Sequence, residues 1–237
     1  MGSAACYHLA RRGVRVLGLE QFDLPHGHGS HHGHSRMIRQ SYYEHPDYVP
    51  LLRRAYELWD ELEEVAGSKE NEEERIFHRT GALYLGPMNG SIVPGALAAA
   101  REHDLPHALL DPAALAARFP AFCAPEGFSG FHEEEAGFLV PELAVAAHAK
   151  HACAHGVEIR CNEAILDWEA AAAGVSVRTG SGTYHASHLV VTAGAWNGSL
   201  LRDLDVELTV TRQVLAWFDP PGDSQSLALG NFPCWFI

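Results

Sequence analysis

Gly2-Ser3-Ala4-Ala5-Cys6-Tyr7-His8-Leu9-Ala10-Arg11-Arg12-Gly13-Val14-Arg15-Val16-Leu17-Gly18-Leu19-Glu20 is the stretch that decides the fold. Its first part reads as a helix closing on Gly13, because glycine suits the residue after a helix C-terminus. Val14 to Leu19 reads as an apolar strand that ends on the acid Glu20. A helix feeding such a strand is the latter part of a dinucleotide-binding unit. There the helix N-terminus offers free N–H groups to a pyrophosphate, and the acid accepts from ribose hydroxyls. Gly2 falls where the third glycine of G-x-G-x-x-G belongs. Only the tail of that motif is present, and an ordinary αβ unit with Gly2 as its first helical residue gives the same pattern. Since open parallel sheets begin with a strand, the chain is expected to be incomplete at this end.

Outward from this unit, residues 21–35 are rich in Gly, His and Pro and read as a long loop. Helical spacing follows over Tyr48–Val65, then a charged loop over Ser68–Arg75 and a short strand over Gly81–Gly86. Ser91–His103 and Asp111–Arg118 read as helices, with Asp111 as an N-cap and Pro112 in the first turn. Gly127–Leu139 suggests a hairpin, Pro141–His155 an Ala-rich helix, and Val157–Arg160 a strand. Ala164–Trp168, Val175–Arg178 and Gly182–His185 read as antiparallel strands, the last two joined by a turn at Gly180–Gly182. His188–Gly194 is expected to be a buried strand, Trp196–Leu201 a helix, and Glu207–Phe218 a strand. The apolar end Trp235-Phe236-Ile237 reads as interrupted in mid-strand. The expected class is mixed α/β with antiparallel insertions, and no internal repeat is visible.

Composition narrows the classes. The chain has 237 residues, 47 % of them hydrophobic, which suffices for a sizeable core. A net charge of −13 offers no electrostatic footprint for nucleic acid or an anionic membrane. No apolar run reaches the roughly 20 residues of a membrane span, and no secretory leader is apparent. Cys6, Cys123, Cys153, Cys161 and Cys234 are scattered, without a CxxC pair, and read as reduced thiols of a cytoplasmic protein.

The second informative stretch is Gly29-Ser30-His31-His32-Gly33-His34-Ser35-Arg36-Met37-Ile38-Arg39. Arg36 and Arg39 would share a face if the segment were helical, and a planar guanidinium suits a carboxylate gripped through two bonds. A solvated basic turn would carry the same residues. The histidines follow no standard metal spacing and no Cys or Asp lies among them, so no metal site is assigned. A third stretch, Val190-Val191-Thr192-Ala193-Gly194-Ala195-Trp196, would let backbone approach a ligand at Gly194, though a tight turn in a core fits it too.

Together these stretches, with Tyr48-Val49-Pro50-Leu51, Leu58-Trp59-Asp60-Glu61-Leu62 and Arg212-Gln213-Val214, resemble the monomeric sarcosine oxidase and N-methyltryptophan oxidase family over nearly the whole chain. The resemblance implies an FAD-binding Rossmann-like domain interleaved with an antiparallel-sheet substrate domain. These would fall at residues 1–80 with 141–205 and at 81–140 with 206–237. It implies oxidation of a secondary amine, sarcosine or another N-methyl amino acid, by O2, giving hydrogen peroxide, formaldehyde and the demethylated amino acid. By motif match Glu20, with Gln21 beside it, would hold the adenosine ribose, and Gly2 would lie under the pyrophosphate. Ser30, His31, His32 and Arg36 would line the flavin side of the loop, and Arg39 would grip the substrate carboxylate. Ala164 would touch the adenine region, and Gly194 and Trp196 would approach the cofactor. His32, Arg36 and Arg39 are the residues expected to serve catalysis.

The partners implied are the amino acid and O2, acting on a monomer. His34 stands where the family has an acid. The glycines upstream of Gly2 are missing from the pattern, as is the later part of the family's chain with its flavin-linking cysteine and lysines. Weak FAD binding by this chain alone is therefore expected. An inactive fragment, a related oxidase of pipecolate or glycated amino acids, and a His-rich metal-binding protein are the alternatives.

Overall fold

The computed structural model describes residues 1–201, 207–220, 222 and 224–237. In chain order the elements begin with α1 (Gly2–Ala10), β1 (Leu17–Leu19), β2 (Arg36–Ile38), α2 (Val49–Ala66), β3 (Phe77–His78) and β4 (Ala82–Pro87). They continue with α3 (Ile92–Glu102), β5 (Ala108–Leu110), α4 (Pro112–Arg118), β6 (Phe128–Glu133), β7 (Gly137–Leu139) and α5 (Pro141–Ala154). Last come β8 (Glu158–Arg160), β9 (Ile165–Ala171), β10 (Gly174–Thr179), β11 (Thr183–Ala186), α6 (Asn197–Leu200) and β12 (Cys234–Phe236). Two compact units divide the chain, one of residues 1–34 with 141–215 and one of residues 35–140 with 216–237. Residues 35–80 thus pack in the second unit, whereas the sequence grouped them with the first.

In the first unit β1 and β8 pair in parallel, Leu17 opposite Glu158 and Leu19 opposite Arg160. The pairing runs on past the strand ends, where Glu20 N–H donates to Arg160 O and Glu163 N–H to Glu20 O, both at 2.9 Å. Helices α1 and α5 pack through small and ring side chains. Tyr7, Ala10, Ala144, His148 and Ala152 are all buried. Small residues bring helix backbones close, so rings fill the space left between them. A separate antiparallel meander runs β9-β10-β11, with Val175, Val177 and Thr179 on its buried face.

The second unit holds a four-stranded sheet in the order β12-β4-β6-β5 and a three-stranded antiparallel sheet β2-β7-β3. Strand β4 is buried on both faces, and the two-residue period sorts its side chains. Ala82 and Tyr84 join Val93, Ala96 and Leu97 of α3 and Phe131 of β6 in one cluster. Leu83 and Leu85 join Leu110 and Leu115 of α4 in another. Asp111 caps α4 as read from the sequence, its carboxylate accepting the Ala114 N–H at 2.8 Å.

Four expectations are corrected. The 128–133 and 137–139 strands form no hairpin, since β6 pairs with β4 and β5 while β7 pairs with β2 and β3. Residues 36–38 are a strand, so Arg36 and Arg39 are not one helical turn apart. Residues 188–193 take no regular structure and Val190 is exposed, because no neighbouring strand among the described residues supplies a ladder for that apolar run. The same holds for residues 207–218.

Candidate functional site

Of the expected cofactor residues, Gly2, Glu20, Gln21, Ser30, His31, Ala164, Gly194 and Trp196 fall in the first unit, and Arg36 falls in the second. Helix α1 begins at Gly2, and its N-cap position makes no side-chain hydrogen bond. A Cβ at Gly2 would lie 2.9 Å from Thr192 Oγ1, so a larger residue there would have to turn that hydroxyl aside. The 192–196 segment therefore runs against the helix start, and Gly194 turns it with φ at +53°. Trp196 then meets the edge of Phe22 at 5.5 Å.

Glu20 follows β1. Its Oε1 accepts the Phe22 N–H at 3.0 Å and lies 3.6 Å from His26 Nε2. A carboxylate has about four lone-pair sites, so this one retains capacity for hydroxyl donors. Gln21 is half-buried beside it and Ala164 is exposed next to Glu163. His31 meets the edge of His26 at 4.7 Å, and its Nε2 is buried without a protein partner. Burial lowers the His31 pKa first, helped by the charges of His26 and of the chain's α-amino group, with Glu20 opposing. His26 thus links His31 to Glu20 by contact. His32 is fixed by its own loop, Nδ1 sitting 2.6 Å from Gly29 O, which requires the proton on that nitrogen. Ser30 is exposed.

The sequence did not reveal what anchors this loop. Glu142, in the first turn of α5, accepts Gly33 N–H at 2.7 Å and His34 N–H at 3.3 Å through one oxygen. Burial pushes its carboxyl up, but these N–H bonds outweigh burial and the net shift is downward. His34 itself adopts φ +66° and is exposed.

A dinucleotide fits these residues: a helix start with a glycine in close contact for the pyrophosphate, an acid at the strand end, and a buried imidazole nitrogen without a protein partner. The residues do not resemble a metal centre, and no group of three metal-ligating side chains occurs among the described residues.

In the second unit Arg36 opens β2, opposite Leu139, and its Nη1 donates to Ser35 O at 3.0 Å. Arg39, just past the strand, keeps only 16 % of its side chain exposed. Its guanidinium lies 4.2 Å from the Tyr42 ring centroid, 5.0 Å from that of Phe236 and 5.8 Å from that of Tyr43. One long contact reaches Glu44 at 3.5 Å, and Nε is buried with no hydrogen-bond partner. A caged cation with an unmet donor suits a small anion.

The FAD dependent oxidoreductase family model matches residues 1–235. The chain is 43 % identical over 220 residues to monomeric sarcosine oxidase of Streptomyces avermitilis, a match covering 93 % of this chain and 56 % of that protein. It is 36 % identical over 237 residues to N-methyl-L-tryptophan oxidase of Yersinia pestis, covering 100 % of this chain and 61 % of that one. The chain therefore spans a little over half the length of these relatives. Among solved structures it is similar to NikD, an unusual amino acid oxidase essential for nikkomycin biosynthesis, with a TM-score of 0.73 at 28 % identity. That match covers 85 % of this chain and 51 % of the other. Glycine oxidase from Geobacillus kaustophilus matches with a TM-score of 0.68 at 21 % identity over 87 % of this chain and 56 % of that one, a likeness of fold alone.

Proposed function

Because the chain belongs to the FAD dependent oxidoreductase family, we propose that it serves the oxidation of an N-methyl amino acid, sarcosine or a close relative. The overall change is R–NH–CH3 + O2 + H2O → R–NH2 + CH2O + H2O2. The carbon–hydrogen bond of the N-methyl group is oxidised, O2 takes up the two electrons, and water releases formaldehyde. FAD, when bound, supplies the hydride-accepting ring and the reaction with O2.

The protein's own residues bind and orient. The α1 start with Gly2 takes the pyrophosphate and Glu20, beside Gln21, takes the ribose. Ser30, His31, Ala164, Gly194 and Trp196 complete the cofactor contacts. By the motif match His32 and Arg36 would serve the flavin, and a cation such as Arg36 would offset negative charge that builds during transfer. Arg39 grips the substrate carboxylate and so holds the N-methyl carbon in one orientation. The domain reading accompanies this proposal, with the first unit taking the cofactor and the second the substrate.

The observation that carries the reading is Arg39, a largely buried guanidinium in an aromatic cage with Nε unpartnered. Two relatives whose names specify N-methyl or sarcosine substrates support the substrate class. The test is peroxide formation by the FAD-loaded protein with sarcosine and with dimethylamine, which keeps the amine and lacks the carboxylate. Sarcosine should be turned over, dimethylamine should not, and Arg39→Ala should lower kcat/KM for sarcosine by about 10–100-fold, the worth of a charged hydrogen bond. Equal turnover of the two amines would sink the reading.

A further inference from the structure

Glu133 ends β6 with 2 % exposure. Its Oε1 accepts Gln40 N–H at 2.7 Å, and its Oε2 accepts Ser41 N–H at 2.9 Å and the Tyr84 hydroxyl at 2.8 Å. Gln40 and Ser41 directly follow Arg39. Two successive main-chain N–H groups aimed at one buried carboxylate fix the backbone at that point, and the Tyr42 N–H to Gln40 O bond at 2.8 Å closes the turn. The chain leaving this clamp supplies Tyr42 and Tyr43, two of the three rings around the Arg39 guanidinium. On its other side Arg39 leaves β2, whose ladder to β7 is three residues long. Arg39's own polar contact, to Glu44 at 3.5 Å, is too long to hold it. Tyr84 remains a donor through the working pH range, because burial and then the Glu133 charge push its phenol well above 10.

We propose that Glu133 is a positioning residue: its buried carboxylate, braced by Tyr84, clamps the Gln40–Ser41 backbone and so holds Arg39 and its ring cage in the geometry that receives the substrate carboxylate. This rests on the reading of Arg39 as the carboxylate-binding group. An amide at position 133 offers one acceptor oxygen instead of two and turns an NH2 toward a main-chain N–H, so the clamp opens on one side.

The test uses the full chain loaded with FAD. The affinity for methoxyacetate, a carboxylate whose ether oxygen replaces the oxidisable amine, is measured by titration calorimetry. Steady-state kinetics with sarcosine and the thermal midpoint are recorded alongside. Glu133→Gln is expected to weaken methoxyacetate about tenfold and to raise KM for sarcosine similarly, while kcat changes less than about threefold. Tyr84→Phe keeps the carboxylate and is expected to weaken binding about threefold. It decides the matter if Glu133→Gln does not fold, since unchanged affinity in Tyr84→Phe then overturns the proposal.

Glu63→Ala is the structural control. That carboxylate is equally buried and accepts the Ile76 and Phe77 N–H groups at 3.0 Å each, both through one oxygen that an amide would keep. Its removal should lower the thermal midpoint and leave methoxyacetate affinity unchanged. Equal weakening by Glu63→Ala, or wild-type affinity in Glu133→Gln, refutes a positioning role. If Arg39→Ala binds methoxyacetate as tightly as wild type, the underlying reading of Arg39 fails first and the clamp proposal falls with it.

Discussion

His148 should make the first unit acid-labile in a way that one substitution removes. It is 6 % exposed in the α1–α5 contact. Its Nδ1 sits 2.8 Å from Ala144 O, and its ring meets Tyr7 at 5.7 Å and His8 at 6.0 Å. Burial lowers its pKa from the ordinary 6.5 to about 4 against the opposing bond to Ala144 O, with the charges of His8, the α-amino group and His151 also lowering it. The sign follows directly. Above pH 6.5 the ring is neutral whether the chain is folded or not, and it contributes no pH dependence. Between 6.5 and about 4 the unfolded chain takes the proton and the folded chain does not, so stability falls as pH falls. One pKa unit corresponds to about 1.4 kcal/mol, so a drop from pH 7 to pH 5 costs about 2 kcal/mol through this ring alone. Urea unfolding followed by far-ultraviolet circular dichroism at the two pH values reads the loss. His148→Phe keeps an edge contact with Tyr7 and cannot titrate, so its loss should be smaller than wild type by about 2 kcal/mol. Other lowered histidines, His31, His132 and His151, remain in both proteins and cancel in the difference. The same pH dependence in variant and wild type would refute the assignment.

Three further outcomes follow from contacts described above. Glu63→Ala leaves the buried Ile76 and Phe77 N–H groups without an acceptor and should cost about 2–4 kcal/mol in denaturant unfolding. Asp111→Ala removes the α4 cap and should cost about 1 kcal/mol, read as a lowered thermal midpoint. Gly137→Ala would place a Cβ 1.9 Å from His78 O, so β3 and β7 must part. Stability should fall by about 3 kcal/mol, and amide exchange at residues 77–78 and 137–139 should accelerate.

The sequence reveals local structure where neighbours in the chain decide it. Helix α2 was legible from its spacing, and α4 from Asp111 and Pro112, because caps and periodicity act within a few residues. Partner choice is different. Phe128–Glu133 and Gly137–Leu139 look like a hairpin because they are close in sequence, yet each finds its ladder with distant strands. Likewise His188–Gly194 has the composition of a core strand but only a neighbouring strand can make it one. Arg39 was legible as a candidate and Tyr42 and Tyr43 follow it closely, but the third ring of its cage was not legible, since Phe236 arrives from almost 200 residues away.

Glu133 was hidden for another reason. It heads the run Glu133-Glu134-Glu135, which reads as a solvated acidic turn, yet the first member is buried while the other two are exposed. Strand alternation does not announce this, because a buried acid is excluded from a core pattern unless its donors are known. Nor is the net charge of −13 only a matter of solubility. Glu63, Glu133 and Glu142 each accept two main-chain N–H groups from segments outside regular ladders or at their ends, and Glu163 accepts the Thr179 and Tyr184 hydroxyls at 2.7 and 2.5 Å. Segments without a continuous ladder must satisfy their buried N–H groups elsewhere. A carboxylate does this for two donors at once, with charge-assisted bonds shorter and stronger than a neutral amide would form. The residues proposed to bind the cofactor loop and the substrate lie beside two of these braces, at Gly33–His34 and Gln40–Ser41. Precision there comes from buried acids acting on backbone, which no local sequence pattern displays.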